Sequence, residues 1–142
     1  MAETLGSLCD KLTIVKLKQW HSKDDKRLKS LAVHEEQLVM EIDEFVDRAA
    51  RGEIPKEKLT FASNKVYKQE GNHVADIVGS IGQVMAQLAS VNCKLWHEQE
   101  KVYEFETIPA ERKDIVIKQL ALFNLERNKC IDEIDRLFSS QI

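Results

Sequence analysis

Apolar residues along this chain recur at spacings of three and four, the period of a helix with one buried face, and they do so in four blocks. The first covers residues 3–23, with Leu5, Leu8, Leu12 and Val15 on one stripe and Thr4 placed to cap its start. A polar turn, Ser22-Lys23-Asp24-Asp25, separates it from a second stripe of Leu28, Leu31, Leu38, Ile42, Phe45 and Ala49. Gly52 and Pro55 end that stripe, as a left-handed cap followed by a helix breaker would. The third block spans residues 73–106, with Ile81, Val84, Leu88, Val91 and Leu95 in register. Thr107 and Pro109 mark a turn before the fourth, whose stripe holds Ile117, Leu120, Ile131, Ile134 and Phe138. Between blocks two and three, Leu59-Thr60-Phe61 and Lys65-Val66-Tyr67-Lys68-Gln69 suit short helical turns or an ordered connector. At ~1.5 Å per residue the last two helices approach ~50 Å, enough for their tips to project beyond a compact bundle.

The blocks are related to one another. Residues 5–21 align without a gap on residues 81–97, with identities at Gly6/Gly82, Leu12/Leu88, Val15/Val91, Lys18/Lys94, Trp20/Trp96 and His21/His97. The chain holds only two Trp and four His, so a repeated Lys-x-Trp-His is the strongest part of this match. The helices that follow share Ile-Asp-Glu, at Ile42 and at Ile131. The expectation is an all-α single domain: a four-helix bundle of two duplicated antiparallel hairpins, about 3–52 and 73–140, joined by a connector at 53–72.

Polar residues interrupt these stripes at matched levels. Glu35 sits between Leu31 and Leu38, and its repeat equivalent Asn124 follows Leu120, with Arg127 next before Ile131. Asn92 borders the third stripe, and Asp10, Lys11 and Thr13 lie at the corresponding level of the first helix. A buried charge has to be paired or its desolvation costs several kcal/mol. Two readings stand: a polar layer that fixes register, as a buried Asn does in coiled coils, or a small polar pocket between hairpins. The residues for a ligand site are Asp10, Lys11, Glu35, Asn92, Asn124 and Arg127, with Lys18, Trp20, His21, Lys94, Trp96 and His97 as a second set. For that second set the plain reading is that the tryptophans pack near the hairpin ends while the histidines bond locally.

Composition narrows the function classes. Five Gly and two Pro are too few for a loop-rich β fold, and a net charge of −3 with interleaved signs shows no basic stripe for nucleic acid. No apolar run approaches the ~20 residues that cross a bilayer, and the start lacks a signal-peptide pattern. Cys9, Cys93 and Cys130 are an odd, scattered set on apolar stretches, which reads as buried free thiols in a reducing compartment, the cytoplasm. No Cys-x-x-Cys spacing is present, and a single Glu-x-x-His, Glu70 and His73, falls short of a di-iron set; no cofactor or metal is expected. Glu41-x-x-Glu44 and Asp132-x-x-Asp135 have the spacing of magnesium-dependent all-α nucleotide pyrophosphohydrolases, although Glu41, Glu44 and Asp135 flank their stripes as solvent-facing groups would.

Residues 5–14 together with Trp20-His21 resemble the "DKLTI…LK…WH" signature of bacterial all-helical domains of unknown function, found beside genes for lipopolysaccharide and other surface-glycan synthesis. Glu35-Glu36-Gln37, Ile42-Asp43-Glu44, Val91-Asn92-x-x-Leu95-Trp96-His97 and Asn124-x-x-Arg127 are similar to further landmarks, so the likeness runs from Leu5 to about Phe138. In one branch the half with Asn-x-x-Leu-Trp-His comes first, whereas here it comes second, and Glu70-Gly71-Asn72 replaces an aromatic-Asn-Asp-Pro run. The resemblance implies a fold and a genomic setting but no reaction. The sequence thus points to a non-catalytic helical binding or assembly protein, with a protein partner or small polar ligand and a homodimer as candidate assemblies.

Overall fold

The computed structural model describes residues 3–61 and 74–142. Four helices make up the fold: α1 (Leu5–His21), α2 (Asp25–Ala50), α3 (Ile81–Tyr103) and α4 (Ala110–Gln141), with one-turn 3-10 helices at Lys56–Lys58 and Phe105–Thr107. Among the described residues there is no strand, and no helix is long and apolar enough to cross a membrane. The Glu70–His73 pair and the 65–69 segment lie outside the described residues.

Local chemistry sets the helix ends. The Thr4 hydroxyl accepts the Ser7 N–H while the Ser7 hydroxyl accepts the Thr4 N–H, a reciprocal capping box at the start of α1. Ser80 and Gln83 repeat that box on α3. This corrects the expected start of the third helix, which begins at Ile81 and not near residue 73. Gly79 stands at φ 139°, a backbone conformation closed to other residues, so the chain cannot be helical as it enters Ser80. Asp24 caps α2 through the Lys26 N–H, and Gly52 at φ 73° turns the chain after its last turn.

The tightest pairings are α3 with α4 and α1 with α2, and α1 also packs against both α3 and α4. Cross-contacts fix directions: Gly6 meets Asp135 and Asp10 meets Arg127, so α1 and α4 run antiparallel, while Thr13 meets Asn92 and His21 meets Trp96, so α1 and α3 run parallel. One apolar cluster (Leu8, Val15, Leu31 and Leu38) zips α1 to α2. A larger one joins Leu5 to Val84, Leu88 and Val91 of α3 and Ile131, Ile134 and Phe138 of α4, with Leu59 and Ile77 closing it from the connector. Full burial of each such side chain contributes about 1.5–3 kcal/mol. On α4 Ile131, Ile134 and Phe138 of the expected stripe are buried, but at its start Val116 is buried and Ile117 exposed. The thiols also differ from expectation, since Cys130 is buried, Cys9 half-buried and Cys93 exposed.

Candidate functional site

The interior polar layer forms around Asp10, which is buried on the face of α1 that looks toward α3 and α4. Arg127 of α4 grips its carboxylate in a two-pronged pair, Nε to Oδ1 at 2.8 Å and Nη2 to Oδ2 at 2.5 Å. Asn92 of α3 donates from Nδ2 to the same Oδ1 at 2.9 Å and to the Thr13 hydroxyl at 2.7 Å. Thr13 in turn donates to the Asp10 carbonyl at 2.8 Å. The Asp10 carboxylate raises the Arg127 pKa above its ordinary value, against the opposing effect of burial. Three helices are thus pinned at one level by a network whose carboxylate oxygens and hydroxyl are already taken.

Three of the six residues expected at a ligand site meet here: Asp10, Asn92 and Arg127. The other three do not. Lys11 is exposed and bonds Glu3. Glu35 lies at the outer edge of the α1–α2 seam and pairs with Lys16 at 2.7 Å, where the Lys16 and Gln19 hydrogen bonds pull its pKa down. Asn124 is exposed on α4. Matching Glu35 to Asn124 in the repeat places both at the rim of a seam, where solvent satisfies them, and not inside it.

Asp135, expected to face solvent, is buried. Its Oδ1 accepts the Gly6 N–H at 2.7 Å, so a carboxylate from the last turns of α4 supplies an acceptor to the first turn of α1. Burial, opposed by the Gly6 and Thr4 hydrogen bonds and assisted by Asp132, pushes its pKa up to about 6. Only glycine permits this approach, because a Cβ on residue 6 would stand 2.5 Å from the Ile131 carbonyl oxygen. A lone glycine in the first turn of α1 was the available signal for that close packing.

Of the second set, Lys18, Trp20, His21 and Trp96 lie at the α1–α2 turn, whereas Lys94 and His97 do not. His21 stacks on Trp96 with ring centroids 4.6 Å apart and planes 19° apart, and its Nδ1 lies 2.9 Å from the Leu17 carbonyl, which can only accept. Nδ1 therefore carries the proton. Trp20 does not pack: it is 86% exposed. Lys94 lies 5.9 Å over the Phe123 ring, and His97 is exposed beside a hollow of about 440 Å³ with Lys101, Tyr103 and Glu104. A second hollow, about 370 Å³, opens between Lys18, His21, Lys23, Arg27 and Trp96.

Glu41 and Glu44 line a third hollow of about 460 Å³ with Phe45, Arg48, Glu53 and Phe61, whereas Asp132 and Asp135 do not border it. Among the described residues no group of three or more His, Cys, Asp or Glu is placed to hold a metal ion. No protein-family model, curated protein or solved structure matches the chain, so the likeness to glycan-locus domains rests on the quoted motifs alone.

Proposed function

We propose that this chain is a non-catalytic helical assembly protein that pairs with a second copy of itself along the outer side of α2. The observation that carries this reading is the set of large apolar side chains left there. Val33 is 68% and Met40 59% exposed, and Val39 and Val46 continue the patch along the flank of the same helix. Val33 with Met40 and Val39 with Val46 form two apolar pairs on either side of Glu36 and Asp43, and exposed apolar side chains in this number mark an interaction surface. The interior polar layer offers a ligand little, since its acceptors are occupied within the fold.

The sequence of α2 fits its own reverse. In an antiparallel pair with the two-fold axis between Val39 and Met40, Val33 meets the partner's Val46 and Val39 meets the partner's Met40. At the ends of this pairing Lys26 faces the partner's Glu53, whereas nearer the axis Asp43 and Glu44 face the partner's Glu36 and Glu35. The carboxylates near the axis repel one another, and salt screens that repulsion. A two-fold contact of the same patch on both copies is also the commonest closed assembly.

Light scattering coupled to size exclusion, run across protein and salt concentration, tests the reading. A dimer is expected that persists as salt rises, and Val39→Glu with Met40→Glu is expected to give a helical monomer. A monomer at high protein concentration, or a dimer untouched by the double substitution, refutes it. Duplication is proposed as the origin of the two hairpins. In its support, the two capping boxes fall at equivalent positions, and Leu8/Val84 and Val15/Val91 are both buried pairs. A supporting role in surface-glycan synthesis follows from resemblance only. The runner-up, a magnesium-dependent pyrophosphohydrolase, draws on Glu41 and Glu44 at the 460 Å³ hollow and predicts release of pyrophosphate from a nucleoside triphosphate with Mg²⁺.

A further inference from the structure

The charges of this chain are unevenly placed. Residues 16–29 carry Lys16, Lys18, Lys23, Lys26, Arg27 and Lys29 against Asp24 and Asp25, in a molecule whose net charge is −3. Several cations elsewhere are matched: Lys11 with Glu3, Arg51 with Asp47, Arg127 with Asp10, Arg136 with Glu133. At the α1–α2 turn only Lys16 has a carboxylate partner among the described residues, and Lys18, Lys23 and Arg27 border the 370 Å³ hollow without one. Asp24 also borders it, but its carboxylate is engaged in capping α2 through the Lys26 N–H. The Trp96 ring, held by its stack on His21, forms one wall.

Cations left unpaired around a concave site gain little from water-exposed proximity to one another and repel. A multiply charged oxyanion relieves that repulsion and accepts several charge-assisted hydrogen bonds at once. Arginine and lysine together, beside an aromatic wall, suit a phosphoryl group better than a lone carboxylate, because its three oxygens can be shared among Lys18, Lys23 and Arg27. A hollow of this volume lies within the range of small-molecule sites. We propose that the hollow at the α1–α2 turn is a phosphoryl-binding site, taking either a free phosphorylated metabolite or an anionic phospholipid headgroup. The second source has its own feature: Trp20 projects from the same turn, and an exposed Trp among lysines is the arrangement that seats on an anionic bilayer surface.

Both tryptophans of the chain are at this turn, so intrinsic fluorescence reports on the site directly. Titration with inorganic pyrophosphate at fixed ionic strength, and with phosphatidylcholine vesicles with or without phosphatidylglycerol, separates the two sources. A saturable change with pyrophosphate identifies a soluble phosphoryl ligand, and a response confined to phosphatidylglycerol vesicles identifies the headgroup. Either supports the site, and silence in both arms overturns it. The Lys23→Glu, Arg27→Glu double variant is expected to weaken binding by about tenfold or more, from the loss of two charge-assisted contacts, and the single Lys23→Gln to weaken it less. Arg112→Glu with Lys118→Glu, the same charge change on exposed positions of α4, is expected to leave binding intact. Equal losses in both double variants would mean that net charge alone attracts the anion, which overturns the assignment, as would unchanged binding in the Lys23 and Arg27 variants.

Discussion

The two glycines that align in the repeat, Gly6 and Gly82, are predicted to respond to alanine with opposite signs. Both occupy the second position of a capped helix, so helix propensity alone favours Ala at each by about 0.5–1 kcal/mol. At Gly82 a Cβ would meet nothing within 4 Å, and that gain is realised. At Gly6 the added carbon would lie 2.5 Å from the Ile131 carbonyl oxygen and 2.9 Å from the Asp135 carboxylate. The first is helix backbone and cannot rotate away, so the start of α1 has to withdraw by most of an ångström. Withdrawal stretches the 2.7 Å bond from Gly6 to Asp135, a hydrogen bond to a buried carboxyl worth about 1.5–3 kcal/mol, and overpacking adds about 1–3 kcal/mol. After the propensity gain, Gly6→Ala is expected to cost about 2–4 kcal/mol. For a domain of this size that lowers Tm by about 6–14 °C, while Gly82→Ala raises it by about 1–3 °C. Thermal and urea melts followed by far-UV circular dichroism give both numbers. A Gly6→Ala protein as stable as the parent, or two variants that lose stability equally, refutes the close packing of α1 on α4.

Three further outcomes follow from the interior. Arg127→Met strands a buried Asp10 and is expected to cost about 2–4 kcal/mol, somewhat under a fully buried pair because Arg127 is partly exposed, whereas Asp10→Leu with Arg127→Met should restore most of that stability; additive losses in urea melts would count against the network. Asp135 has a folded pKa near 6, above its unfolded value, so its contribution is present below about pH 4 and is lost as pH rises through 6. Asp135→Asn should therefore flatten the parent's pH–stability curve between about pH 4 and 7, with the difference between parent and variant approaching about 2–3 kcal/mol; parallel curves would show that the carboxyl titrates normally. Finally, a thiol reagent at neutral pH should modify Cys93 rapidly, and Cys9 and Cys130, whose thiols burial pushes up to about 11 and about 12, only on unfolding; fast labelling of more than one thiol in the native protein would contradict their burial.

The helices were legible because their stripes are regular and their caps are written in side chains: Thr4 and Gly52 each act where expected, and Asp24 of the expected polar turn caps α2. Ser80-x-x-Gln83 is an equally explicit start signal, and the apolar residues before it, Val74, Ile77 and Val78, extend the apparent period past it. Polar positions were harder, since spacing gives the phase of a residue within its own helix but not which neighbour lies against it. Asp10, Asn92 and Arg127 converge because α1 sits against α3 and α4 together, whereas Glu35 faces only the α1–α2 rim. Asp135 lies one residue beyond the buried Ile134, so a shift of a few tens of degrees decides between solvent and core, and the close approach at Gly6 decides it. The basic turn was hidden for a different reason: summed over the whole chain, its cations are cancelled by acids that sit elsewhere.

The bond between Gly6 and Asp135 spans 129 residues of sequence, and that between Asp10 and Arg127 spans 117. On the ribosome, α1 and α2 emerge together and can zip through Leu8, Val15, Leu31 and Leu38. The side of α1 that carries Asp10 and Leu5 meets α3 later, and finds its last partners only once the far end of α4 is out. At about 5–20 residues per second that wait lasts roughly 5–20 s, during which an aspartate and an apolar face, both buried in the finished fold, stand in water. Non-local closure of this kind also slows folding relative to a bundle of neighbouring hairpins. Of the four helices, α1 is made before the others and covered last.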